Sequence, residues 1–181
     1  MKLLIASDIH GDVSCTQALL NVYDTEKCDK LLLLGDILYH GPRNDLPTEY
    51  NPKAVIELLN QRAQSILAVR GNCDTEVDQM VLSFPILADY IYLSIDGINI
   101  FATHGHKYNL DVLPPLSKGE ILLHGHTHVL KIERFGNDNY YINPGSITIP
   151  KENNPRSYII LENRVMTIYD FDGKIIDKIE F

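Results

Sequence analysis

The chain has 181 residues, 45% of them hydrophobic and 22% charged, with a formal net charge of −8. That length suits one domain spanning residues 1–181 and lets about 70% of the unfolded surface be buried. Such an acidic balance argues against duplex nucleic acid as a partner, and no apolar tract approaches the roughly 20 residues of a membrane span.

Lys2 to Ser7 is a short apolar run ending at Asp8-Ile9-His10-Gly11, the pattern of a buried strand entering a loop. Asp12 is placed to cap a helix with Cys15, Ala18, Leu19, Val22 and Tyr23 on one face. Leu31 to Leu34 then reads as a second strand, stopping at Gly35-Asp36, and a strand–helix–strand crossover makes the two strands parallel. Residues 39–51 show no periodicity and contain two prolines, so they read as a long functional loop, with Tyr39 and Tyr50 offering a contact for another subunit of a homo-oligomer. Asn51 and Pro52 open a helix on Val55, Ile56, Leu58 and Leu59. Ser65 to Val69 is a third strand, ending at Arg70-Gly71-Asn72-Cys73-Asp74, and Thr75 to Leu82 reads as a short helix on Val77, Met80 and Val81.

From residue 90 the alternation is clearer and the connections are shorter. Asp96-Gly97 between Tyr90–Ile95 and Ile98–Thr103 signals a hairpin whose second strand runs into His104. A proline-rich segment from Leu110 to Leu116 precedes the strand Ile121 to Leu123 and the stretch His124-Gly125-His126-Thr127-His128. If that stretch stays extended, His126 and His128 point to the same side. Further strands follow at Val129–Phe135, Tyr140–Ile142, Ser157–Leu161, Val165–Tyr169 and Ile175–Ile179. The residues thus predict an α/β protein in which an antiparallel sheet follows a parallel one, the two packed face to face with helices outside.

Five apolar runs end in metal-capable residues: Asp8 and His10, Asp36, Asn72, His104, and His126 with His128. Each alone has an ordinary reading as a turn, cap or interior histidine. Jointly, at strand ends where α/β sheets bind ligands, they predict one metal-binding crevice. Seven mixed ligands exceed one tetrahedral site, so two ions are expected, with Asp36, alone at its strand end, as the bridging carboxylate. Paired divalent ions lower the pKa of a shared water to about 7, a change of roughly 12 kcal/mol, and hold both oxygens of a displacement at phosphorus. Two such ions would also halve the formal charge of −8 and concentrate positive charge where a small anionic substrate binds.

The set Asp8-x-His10, Gly35-Asp36, Gly71-Asn72, His104 and Gly125-His126-x-His128 resembles the calcineurin-like metallophosphoesterase superfamily. His40-Gly41-Pro42-Arg43-Asn44, Arg70 to Asp74 and Asn143-Pro144-Gly145-Ser146 extend the likeness to the small bacterial and archaeal phosphodiesterases within it. The resemblance implies a four-layer α/β (α+β) sandwich of two mixed sheets flanked by helices. It implies one ion on Asp8, His10, Asp36 and His128, and a second on Asp36, Asn72, His104 and His126. It also implies hydrolysis of a small phosphodiester by a metal-activated hydroxide, while the charge and the short apolar runs separately predict no duplex nucleic acid and no membrane as partner. Manganese heads the candidate ions, with zinc, iron, nickel and cobalt also suited to these donors.

Many superfamily members carry histidine where this chain has Cys73, and a thiol is a poorer proton donor to the leaving oxygen near neutral pH. Arg70 and Arg43 are candidate phosphate clamps and His40 a candidate proton donor, while His106 and His124 are assigned supporting roles. A phosphomonoesterase with the same site and a non-catalytic scaffold of the same fold are the alternatives. Three irregularly spaced cysteines, with no export signal after Lys2, predict a reduced, cytoplasmic protein.

Overall fold

The computed structural model describes residues 1–181. Eleven strands form two sheets, and the first combines both ends of the chain. β1 (Leu3–Ala6) pairs in parallel with β2 (Lys30–Leu33), which pairs in parallel with β3 (Ile66–Ala68). On its other side β1 pairs antiparallel with β9 (Ser157–Glu162), followed by β10 (Val165–Asp170) and β11 (Ile175–Glu180).

The second sheet runs β4-β5-β6-β8-β7. β4 (Tyr90–Ile95) and β5 (Ile98–Thr103) form the hairpin, closed by Asp96 at φ 51° and Gly97 at φ 80°, the double left-handed turn that suits strand twist. β5, β6 (Ile121–Leu123) and β8 (Asn139–Asn143) are parallel, while β7 (Lys131–Phe135) returns antiparallel on β8. Both sheets are therefore mixed. The expected order of a parallel sheet followed by an antiparallel one is corrected, because β9 finds the open edge of β1 and β6 and β8 align with β5.

Alternation explains how the sheets pack. Leu3 and Ile5 of β1 face inward with Leu32, Leu34, Ile100, Ile121, Ile142 and Ile159, forming the core between the sheets. Leu4 and Ala6 point to the other face, where they pack under α1 (Val13–Thr25) and α2 (Pro52–Asn60). Asp12 caps α1 through Cys15 N, and Asn51 caps α2 through Ala54 N with Pro52 in the first turn, as their residue types predict. The buried face of α1 is Cys15, Thr16, Leu19 and Leu20, rotated from the predicted stripe. On the outer face of the second sheet, Phe101, Leu122 and Tyr141 are covered by Tyr108 and by Leu110 and Leu116 of the proline-rich segment. α3 (Glu76–Val81) forms at the predicted place, but Val77 and Met80 are 69% and 83% exposed, so its apolar side faces outward.

Candidate metal centre

The carboxyl ends of β1, β2, β3, β5 and β6 converge, and with them all seven predicted ligands. Hydrogen bonding fixes how the imidazoles face. His10 Nδ1 lies 2.9 Å from the Tyr39 carbonyl, His128 Nδ1 2.8 Å from that of Ile149, and His104 Nδ1 2.6 Å from that of Leu34. A carbonyl only accepts, so each Nδ1 carries a hydrogen, and Nε2 is the nitrogen that each ring turns toward the site.

Two donor sets result. In the first, Asp8 Oδ1 is 3.6 Å from His10 Nε2 and 3.2 Å from His128 Nε2, which are 3.3 Å from each other. In the second, His104 Nε2 is 3.1 Å from Asn72 Oδ1 and 3.2 Å from His126 Nδ1. Asp36 Oδ2 lies between them, 3.8 Å from His10 Nε2 and 3.5 Å from His104 Nε2. Its other oxygen accepts from Cys73 N at 2.8 Å.

Lone pairs this close repel unless a cation stands among them, and buried Asp8 Oδ1 has no hydrogen-bond partner. The donors fit divalent metal, since carboxylate, imidazole and amide oxygen at mutual distances of 3–4 Å suit borderline cations. Electrostatics agrees in sign. Burial opposes ionisation of Asp8, yet the His10 and His128 rings beside it hold its carboxyl well below the usual range. Burial likewise opposes a charged His104, but Asp36 and Asp8 raise its pKa to about 9. The crevice attracts positive charge.

Backbone geometry carries a cost that marks the site. Asp8, His10, Asp36, His126 and His128 all have positive φ, between 50° and 67°, where an ordinary residue loses roughly 1–2 kcal/mol. The expectation that His126 and His128 extend from β6 is corrected here: β6 ends at Leu123, and left-handed turns send His126 to the second donor set and His128 to the first. Two glycines permit the crowding. A Cβ on Gly71 would collide with Asp36 Oδ1, and one on Gly125 with Ser7 Oγ. Asp74 braces the arrangement by accepting from Asp36 N at 2.8 Å, Ile37 N at 2.9 Å and Gly71 N at 2.7 Å.

The profile of the calcineurin-like phosphoesterase superfamily domain matches residues 1–165. The chain belongs to that superfamily. Phosphodiesterase YfcE of Escherichia coli strain K12 is 45% identical over 176 residues, covering 97% of this chain and 95% of that protein. A solved structure of the E. coli phosphoesterase Yfce matches with a TM-score of 0.95 at 44% identity, covering 99% and 98% of the two chains. Vps29 of Entamoeba histolytica, solved with zinc, shares the fold at 22% identity and a TM-score of 0.64, over 99% and 98% of the chains.

In this phosphoesterase a cavity of about 370 Å³ opens over the donors, walled by Arg43, Asn44, Cys73, Thr127 and Lys151 beside Asp36, Asn72, His126 and His128. Lys151 was not singled out from the sequence, where a lone lysine in a turn carries no signal. Arg70 does not line the cavity: its Nε donates to the Asp74 carbonyl and its Nη1 pairs with Glu76 at 3.4 Å, which turns it away. His40 also lies off the cavity, edge-on to Tyr39 and Tyr50 with ring centroids 4.8 and 5.3 Å away. His124 is held neutral by burial, which lowers its pKa to about 4, and packs on Tyr141. Asn143 and Ser146 brace from below, Asn143 Nδ2 donating to the Gly125 carbonyl and Ser146 Oγ to that of Asp8.

Proposed function

We propose that the chain is a metal-dependent phosphodiesterase for a small substrate, with Asp8, His10, Asp36 and His128 holding one divalent ion and Asp36, Asn72, His104 and His126 a second. The observation that carries this reading is Asp36 Oδ2 lying between two sets of inward-facing ring nitrogens. Phosphodiesterase YfcE, similar along nearly the whole chain, supports the diester class. When bound, the ion pair supplies a water activated near neutral pH and neutralises charge on the phosphoryl oxygens. Manganese is our first choice of metal, and the cytoplasm our choice of location.

The protein's own groups do the positioning. Arg43 and Lys151 carry positive charge at the cavity wall, form no ion pair within the chain, and orient the anionic diester. The backbone N–H of Cys73 fixes Asp36 Oδ1, so that Oδ2 keeps its aim between His10 and His104. In the reaction a water gives up one proton to bulk solvent as its oxygen bonds to phosphorus, one phosphorus–ester oxygen bond breaks, and the departing oxygen keeps that electron pair and is protonated from solvent. Cys73 borders the cavity and is our candidate to contact that oxygen, while Arg70, held by Glu76, is assigned the positioning of the Asn72 loop.

Metal-stripped protein assayed on an aryl phosphodiester, with each divalent metal returned in turn and bound ions counted, tests this directly. Activity returning with about two ions per chain is expected, and Asp36→Asn should lose at least 100-fold in rate together with affinity at both positions. Two tightly held ions without hydrolysis of any diester would overturn the enzymatic assignment.

A further inference from the structure

The loop over residues 39–51 builds two walls. Gly41 to Asn44 face the metal cavity, while Tyr39 and Tyr50 face away from it into a second, apolar groove of about 350 Å³. The far wall of that groove is Ile56 of α2 with Val77 and Val81 of α3. Cys73 borders both spaces, so the groove begins where the metal cavity ends. Tyr39 and Val81 are each 43% exposed and Val77 69%, which leaves α3 with an apolar side turned toward solvent beside the reacting centre. The only charged side chains in the groove are Lys53 and Asp78, one of each sign.

We propose that this groove seats an apolar, ring-bearing ester arm of the substrate, the one next to Cys73, while the phosphate lies over the metal ligands. The inference rests on the phosphodiesterase reading and specifies its substrate class as an amphiphilic diester with an aromatic arm. Flat tyrosine and aliphatic walls around a slot of this size suit a ring, and the groove offers no net charge to an ionic group. Continuity through Cys73 selects a substrate arm over a separate ligand, because anything in the groove abuts the cavity.

Phosphonates that cannot be hydrolysed test the seat without relying on turnover. Binding of methylphosphonate and (2-naphthyl)methylphosphonate to metal-loaded protein is measured by calorimetry, for the native chain and for Val77→Asp and Val81→Asp. The naphthyl compound should bind about ten-fold more tightly to the native chain, equivalent to about 1.4 kcal/mol, and each aspartate should bring the ratio near one. A native ratio near one, or a ratio that neither substitution moves, overturns the proposal. So does a native dimer that Val77→Asp dissociates with the ratio unchanged, which would make the groove an interface between copies. A failure of the phosphodiesterase reading appears separately, as absence of hydrolysis in protein that still binds phosphonate.

Discussion

Cys73 lies where the metal cavity meets the apolar groove. Its amide holds Asp36, its sulfur accepts from Asn72 Nδ2 at 3.3 Å, and burial followed by the Asp36 charge pushes its thiol pKa far up. We propose that so reluctant a thiol is a poor proton donor to the leaving oxygen, which favours leaving groups that depart as stable anions. Cys73→His places a ring with a pKa near 6.5 at the same point. We expect a gain of ten-fold or more on alkyl esters and little on nitrophenyl esters, within the usual range for a positioned acid. Because the protonated ring is the donor, the gain should shrink as pH rises through its pKa, which a pH–rate profile reads. Equal rates for both proteins on alkyl esters would leave Cys73 as packing. At this scale the residues that gather at the crevice were legible because each follows an apolar run, but the left-handed φ of His126 and His128 was not. Nothing in Gly-His-Thr-His distinguishes an extended path from two tight turns, and the choice is made by Asp8 and His10 arriving from β1.

Among the elements, the join between β1 and α1 ties Asp8 and His10 to the long loop. Asp12 is buried, its Oδ1 accepting from Cys15 N and Ser14 Oγ at 2.8 Å each, its Oδ2 from Glu49 N at 3.3 Å. One carboxylate thus caps the helix and anchors residues 39–51. Burial acts to raise its pKa, but the bonds from Cys15 and Ser14 outweigh it and the net shift is downward. A depressed carboxyl contributes stability in full above its unfolded pKa, near 3.9, and loses it as pH falls through the folded value. Asp12→Ala should therefore cost about 1–2 kcal/mol at pH 7, lowering the melting temperature by roughly 2–4 °C per kcal/mol. The difference should narrow below pH 4, and Asp12→Asn should recover most of it at pH 7. A gap independent of pH in urea titrations would contradict the cap. Such caps were readable from local sequence, as were the strands and the Asp96-Gly97 hairpin. The side α3 would bury was not, because periodicity reports an apolar stripe and leaves open whether anything covers it.

For the whole molecule, strand order decides how stability is shared. β1 lies between β2 and β9, so residues 3–6 join the beginning of the chain to its last quarter. The second sheet, drawn from residues 90–143, packs its Ile100, Ile121 and Ile142 against Leu3 and Ile5. This interleaving was invisible to a reading in chain order, since pairing across more than 150 residues leaves no local signature, and only the metal-capable strand ends hinted at convergence. It has a thermodynamic consequence. Neither half can close its sheet without the other, so we propose that residues 1–181 behave as one domain and expect one transition on unfolding. With chelator present, so that metal release adds no step, far-ultraviolet circular dichroism and tyrosine fluorescence should give coincident urea curves. Ile5→Ala, at a fully buried position between the sheets, should shift both curves together by about 2–5 kcal/mol. Removing residues 157–181 should abolish the transition, because β1 loses its antiparallel partner and Leu3 and Ile5 lose Ile159 and Leu161 from the core. Two separated transitions in the intact protein, or a truncated chain that still melts cooperatively, would show that the first 156 residues close a core without β9 to β11.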